Sequence, residues 1–232
     1  MLYSLCADPW EFVTHWFDGF AVGEGVGEKV RIPHNVREMP LHYSDHQAYQ
    51  TLCGYRMQLH MEESVKGKRH FLQFDGAAHI ATVYVNGSEV AHHRCGYTAF
   101  RAEITDAVNY GETNWIAVKL DTTENGEVPP FGFVIDYLTY GGLYREVWLD
   151  TKEQSFIDDV YITTPSQTRL QLQIRAENAK NCKVRVELLD ENDKLVLISK
   201  PFSHGGRAAL NFPKAKPWTL EYPSTNPPNA GT

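Results

Sequence analysis

The sequence predicts an all-β fold in two domains, and three observations lead to it. Apolar and polar residues alternate strictly along Tyr55-Arg56-Met57-Gln58-Leu59-His60-Met61, Asn86-Gly87 separates two strand-like runs, and no convincing helical stripe lies between them. Alternation with period two places one set of side chains on each face of a strand. Asn-Gly is the strongest two-residue hairpin signal, because both positions tolerate positive φ.

Taken in order, the strands after Tyr55–Met61 are expected at Phe71–Phe74 and at Ile80–Val85, which returns across the hairpin through Ser88–Ala91. Trp115–Leu120 follows with Ile116, Val118 and Leu120 on one face, and then Leu143–Leu149. The polar stretch Asp150-Thr151-Lys152-Glu153-Gln154-Ser155 interrupts the pattern, which puts one domain at 1–153 and a second at 154–232. The second set of strands reads Val160–Ile162, Leu170–Arg175, Val184–Leu188, Leu195–Ile198 and Ala208–Phe212, with turns at Asp190–Asp193 and Gly205-Gly206. Short strands at regular spacing indicate an immunoglobulin-like or fibronectin-like sandwich. Such a sandwich needs about seven strands. Beyond Phe212 the chain offers Pro213, Pro217, Pro223, Pro227 and Pro228, and proline removes ladder donors. The second domain is therefore expected to be incomplete; the alternative is a smaller five-stranded sheet with a disordered tail.

Composition narrows the function classes. At 232 residues with 42% hydrophobic content, 12 Tyr, 11 Phe and 5 Trp, the chain is globular. A net charge of -7 and the absence of a dense Lys/Arg cluster argue against nucleic acid as a partner. No stretch is apolar and long enough to span a bilayer, and the first ten residues lack a basic, apolar leader pattern. Cys6, Cys53, Cys95 and Cys182 are scattered without a CxxC pair, as expected of reduced structural cysteines in a cytoplasmic protein.

Several constellations fail as chemistry. His42 and His46 are spaced i, i+4 but sit beside Pro40 in a predicted loop, and His60, His70 and His79 read as solvent-facing strand residues. Adjacent His92 and His93 point to opposite faces of a strand. No metal or cofactor is expected. No GxSxG elbow occurs, and Gly23-Glu24-Gly25-Val26-Gly27 lacks a strand before it and a helix after it, so a flexible loop is expected rather than a phosphate cradle. The most informative stretch is Pro129–Arg145, where aromatics flank one carboxylate, Asp136, ahead of Gly141-Gly142. Rings cover apolar sugar faces and a carboxylate accepts hydrogen bonds from hydroxyls. Taken alone, Asp136 fits a turn residue as well.

An ordered series of short motifs resembles glycoside hydrolase family 2, the group of β-galactosidases, β-glucuronidases and β-mannosidases. It runs through Arg31-Ile32-Pro33-His34-Asn35, Gly54-Tyr55-Arg56, Phe71-Leu72-Gln73-Phe74-Asp75-Gly76, Val83-Tyr84-Val85-Asn86-Gly87, Gly96-Tyr97-Thr98-Ala99-Phe100, Ile104-Thr105-Asp106 and Tyr140-Gly141-Gly142-Leu143-Tyr144-Arg145-Glu146-Val147-Trp148-Leu149. The resemblance implies a jelly-roll, galactose-binding-like sandwich over 1–153, then the family's immunoglobulin-like domain, then a (β/α)8 barrel that carries both catalytic glutamates of a retaining mechanism. The family's first catalytic glutamate follows an asparagine, and no Asn-Glu pair occurs in this sequence. No catalytic residue is therefore expected here. By the same resemblance Asp136, nine positions before Arg145, is the substrate-binding residue, while Arg145 and Gly141-Gly142 read as structural.

The expected function is that of a non-catalytic front portion of a retaining family 2 hydrolase, a β-galactosidase by its Asp136–Gly142 stretch. Its expected partners are a β-galactoside-type carbohydrate, the barrel and, in an intact enzyme, further copies of itself. The competing reading is a stand-alone carbohydrate-binding module.

Overall fold

The computed structural model describes residues 1–38, 42, 45–129, 131, 140–190, 192–203 and 207–211. The chain is all-β and forms two compact units, Met1–Lys152 and Glu153–Thr232.

Among its described residues the first unit has ten strands: β1 (Leu2–Ser4), β2 (Trp10–Val13), β3 (Glu28–Val30), β4 (Leu52–Met61), β5 (Arg69–Phe74), β6 (Ile80–Val85), β7 (Ser88–Arg94), β8 (Phe100–Glu103), β9 (Glu112–Asp121) and β10 (Val147–Lys152). They form a six-stranded sheet, β3-β2-β4-β9-β6-β7, and a four-stranded sheet, β1-β10-β5-β8. All pairings are antiparallel. The alternation in β4 and β9 explains the sandwich. Tyr55 lies opposite Val118 and Met57 opposite Ile116, and these residues share one apolar cluster with Ala81, Val83 and Val85 of β6 and with Leu72, Phe74, Ala102 and Val147 of the second sheet. Burying such side chains contributes about 1.5–3 kcal/mol each.

Asn86 (φ 51) and Gly87 (φ 83) close the β6–β7 hairpin with positive φ at both positions, as a type I′ turn requires. The Asn86 side chain also donates to Asn114 Oδ1 at 2.8 Å and accepts from the Trp115 amide at 2.9 Å. Asn114 is fully buried, and its Nδ2 donates to the Asn109 carbonyl at 3.0 Å. A buried amide is tolerated because its polar atoms are paired.

One expectation is corrected in this unit. His70 and His79 are buried instead of facing solvent. His70 lies on the same face of β5 as the core residues Leu72 and Phe74, and His79 sits at a bend just before β6 and not in a strand. The His70 ring is held by Thr151 Oγ1 at 3.1 Å and the Val65 carbonyl at 3.2 Å. The glycine-rich stretch Gly23–Gly27 is a loop, as expected, and its start is tethered. Asp18–Val22 forms a 3-10 turn that ends at Gly23 in the left-handed region, and Arg56 of β4 clamps the chain that follows. Arg56 Nη1 donates to the Phe20 and Glu24 carbonyls at 3.3 and 2.7 Å, and Nη2 donates to the Gly25 carbonyl at 2.8 Å.

The second unit holds β11 (Phe156–Ser166), β12 (Arg169–Glu177), β13 (Lys183–Val184), β14 (Glu187–Leu189), β15 (Leu195–Ile198), β16 (Phe202–Ser203) and β17 (Arg207–Asn211). β11, β12 and β17 make one sheet, while β13–β16 and β14–β15 are two-stranded ribbons. Its buried apolar residues include Leu172, Ile174, Val184 and Leu210. The single strand expected over 184–188 is divided at Val186, whose amide donates to Ser199 Oγ at 2.9 Å. β11 shifts register between Thr163 and Ser166, where Pro165 offers no amide to the ladder. Val160 and Ile162, opposite Ile174 and Leu172, remain 42% and 47% exposed along the sheet edge. Phe212 and the proline-rich tail lie outside the described residues.

Candidate functional site

Asp136, the substrate-binding residue expected from the sequence, lies outside the described residues, as do its neighbours 132–139. The structure does define the frame from which that segment departs and to which it returns.

On the departing side, Asn125 Oδ1 accepts from the Glu127 and Val128 amides, each at 3.0 Å, and Val128 is buried. Phe131, beyond this short-range turn, is exposed. On the returning side, the backbone of 141–143 runs as a rail between two other segments. The Gly141 amide donates to Asn35 Oδ1 at 2.9 Å and its carbonyl accepts from the Val36 amide at 2.8 Å. Gly142 exchanges both backbone bonds with Ala78, at 3.0 and 3.1 Å, and the Leu143 carbonyl accepts from the His34 amide at 2.8 Å.

Two glycines make this approach possible. A Cβ on Gly142, whose φ is +121, would meet Tyr55 Oη at 2.5 Å and the His34 carbonyl at 2.7 Å. A Cβ on Gly141 would meet the Thr122 side chain at 2.6 Å. Beneath the rail, His34 Nδ1 and Tyr55 Oη are 2.9 Å apart, and the Phe12 ring packs 4.9 Å from both rings. Burial pushes the Tyr55 phenol well above its ordinary range and lowers the His34 imidazole, against a smaller opposing effect of Glu28. Both groups are therefore neutral near pH 7 and share one proton-bearing contact.

Tyr144 continues the frame. Its hydroxyl donates to the Gly96 carbonyl at 2.6 Å, and its ring lies 5.0 Å from that of Tyr140. Arg145, read as structural, donates from Nη1 to the Asp75 carbonyl just after β5 at 3.5 Å. The backbone of 141–143 makes the shorter bonds. Asp75 is held from the sheet by Trp148 Nε1 at 2.8 Å and Gln73 Nε2 at 2.9 Å. Asn35 is the residue that sequence reasoning left without a role; its presence in the Arg31–Asn35 motif was the available signal. The arrangement is a rigid, partly aromatic support for one loop. Among the described residues no cluster of three or more His, Cys, Asp or Glu side chains could hold a metal ion.

Residues 25–153 match the family described as glycosyl hydrolases family 2, sugar binding domain. The chain belongs to that family, and its first unit is the sugar-binding domain. It is similar to a β-galactosidase of Thermoanaerobacter pseudethanolicus, with 34% identity over 74% of this chain and 24% of that protein. A β-galactosidase of Thermoanaerobacterium thermosulfurigenes is 34% identical over 82% of this chain and 28% of its own length. A β-glucuronidase of Bacteroides fragilis is 37% identical over 56% of this chain. Among solved structures, the apo β-glucuronidase of Ruminococcus gnavus superposes with a TM-score of 0.77 at 21% identity, covering 95% of this chain and 40% of that one. The chain thus spans about a quarter of the length of the first two β-galactosidases.

Proposed function

We propose that this chain is the non-catalytic front portion of a retaining family 2 glycoside hydrolase acting on β-galactosides, to which it contributes Asp136 as a contact for sugar hydroxyls. The observation that carries the reading is the in-order match of residues 25–153 to the sugar-binding domain, together with two β-galactosidases at 34% identity. A (β/α)8 barrel supplies the two glutamates of the double displacement, and the second unit is the family's immunoglobulin-like domain. The rail at Gly141–Leu143 supports this reading, because a side chain that contacts substrate needs a root fixed to within about half an ångström. The same reading places the protein in the cytoplasm, supported by four cysteines that remain free thiols.

The test is a chimera in which this chain replaces the matching front part of the Thermoanaerobacterium thermosulfurigenes β-galactosidase. It should hydrolyse nitrophenyl β-galactoside in preference to the β-glucuronide. Asp136→Ala in the chimera should lower kcat/KM by about tenfold to a thousandfold, the cost of one or two hydrogen bonds made in the transition state. Unchanged kinetics in that variant would remove Asp136 from the site. Titration of the isolated chain with methyl β-galactoside separates the competing reading: millimolar or tighter binding that Asp136→Ala abolishes would identify a stand-alone binding module.

A further inference from the structure

Residues 31–36 belong to no strand, yet they run beside the rail as a strand would. The His34 and Val36 amides donate to the Leu143 and Gly141 carbonyls, each at 2.8 Å. In an antiparallel ladder, residues paired in this way exchange both backbone bonds, so the Gly141 amide would return to the Val36 carbonyl. It goes elsewhere. The Gly141 amide donates to Asn35 Oδ1 at 2.9 Å, a side chain 106 residues away in the sequence.

The substitution of side chain for backbone has a consequence. A backbone carbonyl is present whatever residue stands at 36, whereas the acceptor at 35 exists because that residue is asparagine. Only its oxygen is used: among the described residues Asn35 Nδ2 has no hydrogen-bond partner. The segment that carries it is anchored, since Ile32 is buried and His34 Nδ1 lies 2.9 Å from Tyr55 Oη on β4. On the other side of the rail Gly142 is bonded twice to Ala78, at 3.0 and 3.1 Å. Gly141 itself offers no side chain to be gripped, so its amide and carbonyl are the handles by which this frame holds it.

We propose that Asn35 is a positioning residue for sugar recognition: by accepting from the Gly141 amide it fixes the root of the segment that leads back to Asp136, five residues earlier in the sequence. The inference rests on the reading of Asp136 as the contact for sugar hydroxyls. A substrate contact displaced by about 1 Å loses much of its value in the transition state, so an acceptor remote from the sugar can govern it.

Amide exchange of the full chain is the first test. In Asn35→Ala, exchange at Gly141 should rise by about tenfold or more, the loss of one hydrogen bond, while the amides of β4 and β9 keep their protection. Asn35→Asp keeps an oxygen at the same place and should return Gly141 close to its wild-type rate. Unaltered exchange at Gly141 in Asn35→Ala overturns the proposal, and so does a rise shared equally by β4 and β9, which would mark a general loss of stability.

The kinetic test is a double-mutant cycle in the β-galactosidase chimera. Asn35→Ala should lower kcat/KM on nitrophenyl β-galactoside by about tenfold to a hundredfold, and Asn35→Asp should restore most of it. In the Asp136→Ala background the same Asn35→Ala change should have no further effect, because the contact it positions is already gone. Equal losses in both backgrounds would end the positioning role while leaving Asp136 as a sugar contact. Wild-type kinetics in Asp136→Ala alone would instead remove the reading beneath the proposal, and the proposal with it.

Discussion

Arg56 Nε and Nη2 both donate to a single oxygen of Glu11, at 2.8 and 2.5 Å, across the β2–β4 pairing where the two residues face each other. With the three carbonyls of the Asp18–Gly25 segment, every N–H of this guanidinium has an acceptor. Its flat faces meet Phe20 at 4.1 Å and Trp115 at 4.8 Å. The group is a charge buried to 2% exposure, and the protein tolerates it because nothing on it is left unpaired.

Removing the partner charge should therefore be expensive. Glu11→Ala is expected to destabilise the first unit by about 2–4 kcal/mol, somewhat below a fully buried pair because Glu11 is partly exposed. Urea denaturation followed by tryptophan fluorescence checks the value. A loss under 0.5 kcal/mol would mean that the carbonyl cage alone holds Arg56.

Gly142→Ala places a methyl group against Tyr55 Oη and the His34 carbonyl at a positive φ. Strain and overpacking together should cost about 3 kcal/mol or more. The rail should loosen first, so amide exchange at Ala78 and Val36 is expected to rise more than exchange in β4. Equal protection in the variant would show that the backbone rail is not needed to hold the segment.

Acid should destabilise the first unit through its histidines. Burial lowers the folded-state values of His34, His70 and His79 below the ordinary 6.5. The unfolded chain then binds more protons in the window between each folded value and 6.5. The stability these neutral rings contribute is thus present above pH 6.5 and lost as pH falls through the folded values. Each adds a slope of at most about 1.4 kcal/mol per pH unit inside that window. Denaturation midpoints measured from pH 7.5 to pH 5 should fall, and His70→Asn should make the fall shallower.

Thiol chemistry should separate the cysteines. Burial pushes the Cys53 thiol up to about 12, and its side chain is inaccessible. Cys95 is half-buried, and hydrogen bonds from Thr98 and Tyr97 hold it below its ordinary range against the opposing effect of desolvation. With a disulfide reagent at pH 8, Cys95 and exposed Cys182 should react in the folded chain, and Cys53 only at the rate of unfolding. Rapid labelling of Cys53 in native buffer would contradict its placement in the core.

Much of this architecture is legible in the residues alone. Period-two alternation marked Tyr55–Met61 and Trp115–Leu120, which lie within Leu52–Met61 and Glu112–Asp121, and Asn86-Gly87 closes its hairpin. What escaped was non-local. Leu2–Ser4, Trp10–Val13 and Glu28–Val30 are too short to show a period, and they are strands because β10, β4 and, for Glu28–Val30, β2 offer them edges. Leu143 was read as the start of a strand, yet β10 begins at Val147, because the Leu143 backbone is committed to His34. The buried state of His70 depends on Thr151, which lies 81 residues away. At the site, local chemistry left Asp136 undecided between a turn and a sugar contact, and only the resemblance gave it a role. The Arg31–Asn35 motif marked Asn35, but its role showed only once Gly141 had been brought beside it.

The pairing of β1 with β10 links the Met1 amino group to the Thr151 carbonyl, 150 residues apart. During synthesis β1 has no edge to join until the chain has grown through Lys152, since among the described residues β10 is its one partner in the four-stranded sheet. The first unit therefore closes late, with a loop-closure cost that local hairpins such as β6–β7 do not carry. A nascent chain stopped before Val147 would present β5 with one flank unoccupied, an open template for the strands of neighbouring polypeptides.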